Sequence, residues 1–572
     1  MIIDEIKQFC VDFLRHNDIV FNDIHIIPTD DAYEGDISIL LFDILKNNNI
    51  DINRLVADVA TSLIKQNKIK SYNLIKGFFN ISLLDKDIIS LLFNYDSHMR
   101  DNAGKTVVVE YSSPNTNKPL HLGHLRNICL GYSVCQMLRH VGYNVKAVTL
   151  INDRGIHICK SMLAYMKEGK NATPSIKGDH FVGDYYVAFD KMLKFQKTAL
   201  NITDDKDTPL MHEAQALLVK WEEGDVVVRA LWKKMNDWVL KGFDETYAML
   251  GVTFDKTYLE SETYLLGKDI ISEGLEKNVF YKDPQGAVWI DLTADGLDRK
   301  LLLRSDGTSV YITQDLGTAE RRQQHFEAYM MIYVVGDEQE YHFKVLKKIL
   351  QHLGRGYAEH IYHLSYGMID LPSGKMKSRE GTVVDADDII HNLRERSRQQ
   401  THQLRGDDYV VDDDVCKAIA LAALKFYLLK INAKKRITFD PSKSIDFHGD
   451  TGPFILYTYV RINAILTKSA YNNSDGDRRT VTSLTDIEKK LIMAIFYYSK
   501  AINDAVERLD PSFLAQYLLR LAKIYNKFYD TCSILNEQDM DKRFLRLFLS
   551  YTTADIIKEG LSMLGIKTVD KM

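Results

Sequence analysis

Between positions 110 and 124 the chain reads Glu110-Tyr111-Ser112-Ser113-Pro114-Asn115-Thr116-Asn117-Lys118-Pro119-Leu120-His121-Leu122-Gly123-His124. The β-branched run KTVVVEYS leads into this segment, and HLGHLRNICLGYSVCQMLRH leads out of it with apolar residues at 125, 128, 129, 132 and 135. The first pattern suits a strand buried on both faces and the second suits a helix. The loop therefore ends at a helix N-terminus, where free N–H groups and the helix dipole attract phosphate. His121 and His124 can face the same way there, and Gly123 lets a flat ring approach the backbone. With Lys118, the two imidazoles could donate to the oxygens of a nucleotide triphosphate. A metal reading of the histidine pair lacks a third Cys, Asp or Glu ligand nearby. A Walker phosphate loop ending at Gly104-Lys105-Thr106 fails, because Met99 stands where glycine is required and the segment precedes a strand.

A second cluster is Gly374-Lys375-Met376-Lys377-Ser378-Arg379-Glu380-Gly381. Three cations among small residues, after an expected strand, can close over a polyphosphate. Standing alone, such a cluster reads as a solvated basic loop. Beside the histidine pair it reads as part of a phosphate site.

The elements that must position these groups follow from hydrophobic pattern. NVKAVTLI (144–151) is a second buried strand, so residues 105–151 form a strand–helix–strand unit with parallel strands. A polar, helix-rich interval runs from about 165 to 260. VFYKDPQGAVWIDL (279–292) reads as a hairpin, and AYMMIYVVGD and HIYHLSYGMI read as further strands. The expected assembly is α/β: a split parallel sheet interrupted by an insertion, binding its ligand at the carboxyl ends of the strands. Residues 1–104 read as a small α+β domain, 105–400 as the sheet domain and 401–572 as all-α.

Composition limits the rest. Hydrophobic residues make up 45% and charged residues 26% of 572 residues, ordinary for a soluble globular chain of several domains. With 73 Lys+Arg against 78 Asp+Glu, any nucleic-acid contact must use a local patch. Cys10, Cys129, Cys135, Cys159, Cys416 and Cys532 form no CxxC pair, the usage of a reduced cytosolic chain. MIIDEIKQFCVDFL lacks a basic leader region, and the 14-residue apolar stretch AIALAALKFYLLKI is too short to span a bilayer. The expected location is cytoplasmic, with no membrane partner.

SPNTNKPLHLGH resembles the extended HIGH signature of the class I aminoacyl-tRNA synthetases, in the form typical of the arginyl-tRNA synthetase family. KMKSREG resembles that family's variant KMSKS loop. DFHGDTGPFILYTYVRINAIL (446–466) is similar to its anticodon-domain helix motif, and LSMLGIKTVDKM to its usual C-terminus. The resemblance runs from the first domain to the last. It implies a Rossmann-like catalytic domain between a tRNA-contacting N-terminal domain and a helical anticodon-binding domain. It further implies ligation of L-arginine to tRNA(Arg) through an arginyl-adenylate, with ATP as substrate, Mg²⁺ alongside it and tRNA needed even for the first step. A monomer that binds no DNA is expected.

Carried over position by position, the family's ATP signature falls on His121, Gly123 and His124, with Lys375, Met376, Lys377 and Ser378 closing over the nucleotide and Lys118 able to supply a cation. Its arginine pocket falls on Glu110, Asn115, Asp153, Tyr311, Asp315 and Gln339. Tyr457, Tyr459 and Arg461 suit base stacking and phosphate contact, and suit helix packing equally well. Leu122 stands where the signature usually has Ile or Ala, and Lys377 where the loop usually has Ser. Arginine chemistry agrees with the set, because a planar, permanently charged guanidinium needs carboxylate and aromatic neighbours at fixed places. A synthetase for another amino acid, a nucleotidyltransferase unrelated to tRNA, and a catalytically silent RNA-binding paralogue are the competing readings.

Overall fold

The computed structural model describes residues 1–30, 32–93, 102–370, 385–406, 412–446, 448–471 and 481–572. The segment holding Lys375, Met376, Lys377 and Ser378 lies outside them.

The catalytic sheet has five parallel strands: β1 (Thr106–Glu110), β2 (Asn144–Ile151), β3 (Lys256–Leu259), β4 (Met330–Gly336) and β5 (Ile361–Tyr366), in the order β5-β4-β1-β2-β3. Val107 pairs with Val145 on one side and with Met330 on the other, so β1 is central. Val107, Val108 and Val109 are each at most 1% exposed. Burying a side chain of this size contributes about 1.5–3 kcal/mol, which is why a continuous apolar run becomes an inner strand. The polar chain between β2 and β3 forms helices Gly178–Leu200, Pro209–Glu223 and Val226–Leu250. β3 itself is a short strand that the sequence pattern does not announce. Between β3 and β4 lies a small antiparallel sheet. Its hairpin pairs Tyr281–Lys282 with Val288–Ile290, and Lys300–Leu303 adds a third strand.

The N-terminal part is a four-stranded antiparallel sheet in which Ile37–Leu40 and Phe78–Ser82 are the inner strands. Helices Ile2–His16 and Ile52–Lys65 bury one face each in its core. The C-terminal part is helical, built on Asp413–Leu429, Gly452–Ser469, Ser512–Thr531 and Met540–Met563. Lys425 ties the parts together. Buried on helix Asp413–Leu429, it donates to the carbonyls of Leu250 and Gly565, which close the insertion's last helix and the C-terminal helix. No helix among the described residues is long and apolar enough to cross a membrane.

Candidate active site

Immediately after β1 the backbone turns through left-handed conformations at Ser112 (φ 74°) and Ser113 (φ 44°). Neither is glycine, so each costs on the order of 1–3 kcal/mol unless its surroundings hold it. They do. Ser112 N–H donates to Asn127 Oδ1 at 2.5 Å, and its hydroxyl meets the Tyr247 hydroxyl at 2.7 Å. Ser113 Oγ donates to Glu110 Oε1 at 3.0 Å and accepts from Leu150 N–H at 3.3 Å. The turn sends the chain across the top of the sheet and into helix Leu122–His140. Gly131 on that helix allows the close approach to β1, since a Cβ there would lie 2.3 Å from Tyr111 Cγ.

The helix begins with an unusual cap. His121 is its N-cap residue, and its Nδ1 accepts from Gly123 N–H at 3.1 Å. His124 Nδ1 accepts from His121 N–H at the same distance. The two rings lie 3.9 Å apart at their centroids. With Nδ1 accepting, each neutral imidazole carries its proton on Nε2. Burial, with the Lys118 ammonium nearby, lowers the pKa of His121 to about 4. Burial and the neighbouring His121 and Lys118 likewise hold His124 well below its usual value. The pair is therefore a set of neutral N–H donors, not two cations.

A cavity of about 930 Å³ opens at the carboxyl ends of the strands. It gathers Glu110, Asn115, His121, Gly123, His124, Tyr311, Asp315 and Gln339 onto one wall system, from three separate stretches of chain. Tyr311 and Asp315 come from helix Tyr311–Phe326, where four-residue spacing places them on one face. Tyr311 is 78% exposed, an aromatic ring turned into the open cavity. Asp315 Oδ2 meets His342 Nε2 at 2.6 Å.

Three expected site residues sit differently from their sequence reading. Glu110 is already paired: its Oε2 meets the Nη2 of Arg322, a residue 1% exposed on the Tyr311 helix. Its charge is largely neutralised from within. Asp153 is 2% exposed and is not on the cavity wall. Its carboxylate accepts from Ser261 N–H at 2.8 Å and Ser261 Oγ at 2.6 Å, so it fixes the chain that follows β3. Lys118 is half-buried beside the imidazoles and is likewise not part of the wall.

Sequence reasoning missed Glu260, at the end of β3. Burial, with Asp153 and Asp315 adding negative charge, raises its pKa to about 7 against the opposing pull of Arg154. It has no side-chain hydrogen bond among the described residues. A carboxyl group desolvated near Asp315, with no side-chain hydrogen bond among the described residues, suits an incoming cation. The sequence carries no signal for it, because the short strand before it is not announced by pattern.

A second cavity, of about 530 Å³, lies in the helical part and is lined by Tyr457, Arg461, Lys468, Tyr529 and Met572 among others. The Arg461 guanidinium sits between the rings of Tyr457 and Tyr529, 4.9 and 4.8 Å from their centroids. Tyr459 is 7% exposed in the helical core, which takes it off this surface. On a helix, residues two apart point to different faces, so one cannot share the exposure of its neighbours.

Known proteins agree with this architecture. The family profile "tRNA synthetases class I (R), catalytic domain" matches residues 87–440, and "DALR anticodon binding domain" matches 455–572. The chain is 47% identical to the arginine–tRNA ligase of Amoebophilus asiaticus, over 96% of each chain. It is 45% identical to that of Flavobacterium psychrophilum, over 97% of each. Among solved structures, the arginyl-tRNA synthetase of Thermus thermophilus superposes with a TM-score of 0.82 over the whole of both chains, at 22% identity. The chain thus belongs to the arginyl-tRNA synthetase family of class I aminoacyl-tRNA synthetases.

Proposed function

We propose that this chain ligates L-arginine to tRNA(Arg) through an arginyl-adenylate. The observation that carries the reading is one cavity with two chemically distinct ends. Neutral Nε2–H donors of His121 and His124 stand at a helix N-terminus. Asp315 stands across the sheet on the same wall, with Tyr311 presenting its ring beside it; Glu260 is not on the wall but lies near enough to Asp315 to feel its charge.

The arginine guanidinium binds Asp315 and Glu260, with Tyr311 against its plane. Asn115 and Gln339, both exposed on the cavity wall, accept from the α-amino group. The arginine carboxylate attacks the α-phosphorus of ATP in line, forming the mixed anhydride and breaking the bond to pyrophosphate. No enzyme nucleophile is needed. His121 and His124 donate to phosphate oxygens as charge moves toward the leaving pyrophosphate, and each fixed donor of this kind contributes about 3–4 kcal/mol to lowering the barrier. The 3′-terminal adenosine of the tRNA then attacks the arginyl carbonyl, and AMP leaves. A lysine side chain carries the charge but not the fork, and a neutral analogue brings no cation to Asp315 and Glu260.

Mg²⁺ enters as the counter-ion of ATP, screening the triphosphate. A resident metal is not part of the reading: Asp179, His180 and Asp387 form a group of ligand type, but Lys177 Nζ already lies 2.6 Å from Asp387 and 3.1 Å from Asp179. Tyr457 and Arg461, at the cavity of the helical domain, contact the anticodon stem-loop, with Tyr457 offering a ring for base stacking. The residue sets 1–104, 105–400 and 401–572 act as tRNA-contacting, catalytic and anticodon-binding domains of a cytoplasmic monomer, and tRNA is required for the first step. Charging of bulk tRNA, run separately with each amino acid, tests the assignment. Arginine alone should be transferred, and transfer of any other amino acid, or of none, removes it.

A further inference from the structure

We propose that Arg436 is a phosphate-binding residue of this site, carried into the cavity by the segment that follows helix Asp413–Leu429. The proposal rests on the ligase reading and adds a residue to it. Of the described residues lining the cavity, Arg436 is the only Arg or Lys, whereas Glu110, Asp315, Glu338 and Asp370 all lie on the same wall system. The two signature imidazoles are neutral, so the described wall offers a polyphosphate no other permanent positive charge. Arg436 is exposed, and among the described residues no carboxylate lies within ion-pair distance of its guanidinium, although Asp370 lines the same cavity.

The backbone beneath Arg436 is held on every side. Arg126, two residues beyond His124 on the same helix, is fully buried. Its guanidinium donates to the carbonyls of Gly367, Ala433 (3.0 Å) and Lys435 (2.8 Å). Ile437 N–H donates to the Met368 carbonyl at 3.2 Å, and Ile437 pairs with Ile369 in a short parallel ladder. Gly367 is packed so closely on this segment that a Cβ there would fall 2.8 Å from the Arg436 nitrogen. One buried arginine therefore locks the imidazole-bearing helix, the end of β5 and the base of Arg436 at fixed spacing. A cation held in advance on a rigid support, with no carboxylate among the described residues paired to it, is what stabilisation of a moving phosphate charge requires. A guanidinium fork also matches a phosphate bidentately.

The phosphate has two possible sources: the ATP polyphosphate, and the phosphodiester next to the 3′-terminal adenosine. Full-length Arg436→Gln and Arg436→Lys separate them. If ATP is the source, Arg436→Gln raises the KM for ATP about tenfold or more, the value of one charge-assisted hydrogen bond. The KM for arginine stays unchanged, and Arg436→Lys recovers part of the loss. If the tRNA end is the source, the KM for ATP is unchanged, and transfer from preformed adenylate slows by a similar factor in single turnover. Either result supports the proposal. Unchanged ATP affinity together with unchanged transfer, in a wild-type background that charges arginine, overturns it. Should the unaltered chain not charge arginine, the ligase reading falls separately. Calorimetric binding of Mg-pyrophosphate then still decides the residue: binding weakened in Arg436→Gln supports the proposal, and equal binding overturns it.

Discussion

Glu110 and Arg322 form an ion pair at the edge of the amino-acid end of the cavity, with the arginine 1% exposed and set over the rings of Tyr258 and Tyr333 at 5.3 Å each. An internal guanidinium thus already occupies Glu110, one of the carboxylates nearest the amino-acid end. The pair fastens the Tyr311 helix to the end of β1 and so sets where Asp315 stands. Arg322→Met leaves Glu110 buried and uncompensated, and should destabilise the fold by about 3–5 kcal/mol. Adding Glu110→Gln should recover part of that loss. Chemical denaturation of the single and double variants checks this, and a double variant no more stable than the single one would show that the pair is not the source of the loss.

Asp315→Asn keeps the shape of the pocket wall but removes its charge. The KM for arginine should rise by about tenfold to a hundredfold, as for losing one charged partner, with the KM for ATP little changed. Steady-state kinetics at varied arginine and varied ATP separate the two. Equal losses on both ligands would remove Asp315 from the guanidinium end.

Glu260 makes the site pH-sensitive. Its folded pKa of about 7 lies above the usual carboxyl value because burial and neighbouring carboxylates disfavour its charge. An arriving guanidinium favours the charged form and pulls the pKa down, so binding releases a proton near neutrality. Arginine affinity should therefore rise as pH increases from about 6 to 8, and flatten in Glu260→Gln. Without ligand the sign is opposite. The folded state holds this proton more tightly than the unfolded chain, so the contribution of Glu260 to stability is present at low pH and declines as pH rises through 7. Calorimetry in buffers of differing protonation enthalpy counts the released proton; a count of zero at pH 7 contradicts the assignment.

His124→Ala should leave the fold intact and slow adenylate formation by about 10²–10³-fold, the loss expected for one fixed donor. Because the folded pKa of His121 is near 4, the pair stays neutral at mildly acidic pH and imposes no acid limb near 6.5 on adenylate formation. The unfolded chain takes up those protons first, so their linkage lowers stability as pH falls from about 6.5 toward 4. Replacing both with Asn should flatten that slope in melting experiments. An unchanged slope would show that burial does not hold them neutral.

Where apolar pattern was strong, the sequence was a good guide. KTVVVEYS and NVKAVTLI became neighbouring parallel strands, with Val107 opposite Val145, because continuous burial demands such runs. KTYL, only four residues with one of them buried, carried too little pattern to be read as β3. Site residues on signatures, such as His121 and Asp315, could be named in advance. Glu110 is legible in the same way, but its partner is more than two hundred positions away, and nothing local in the chain marks Arg322 as buried. Arg436 carries no local signal for the same reason: it enters the cavity on a segment far along the chain from the sheet strands, whose place depends on Arg126 and Gly367.

A crystal structure with a non-hydrolysable arginyl-adenylate analogue tests the central claim most directly. The account places the guanidinium in hydrogen-bonding contact with Asp315 and Glu260, and the phosphate against the Nε2 atoms of His121 and His124. A guanidinium bound away from both carboxylates, or a phosphate out of reach of both imidazoles, would contradict it.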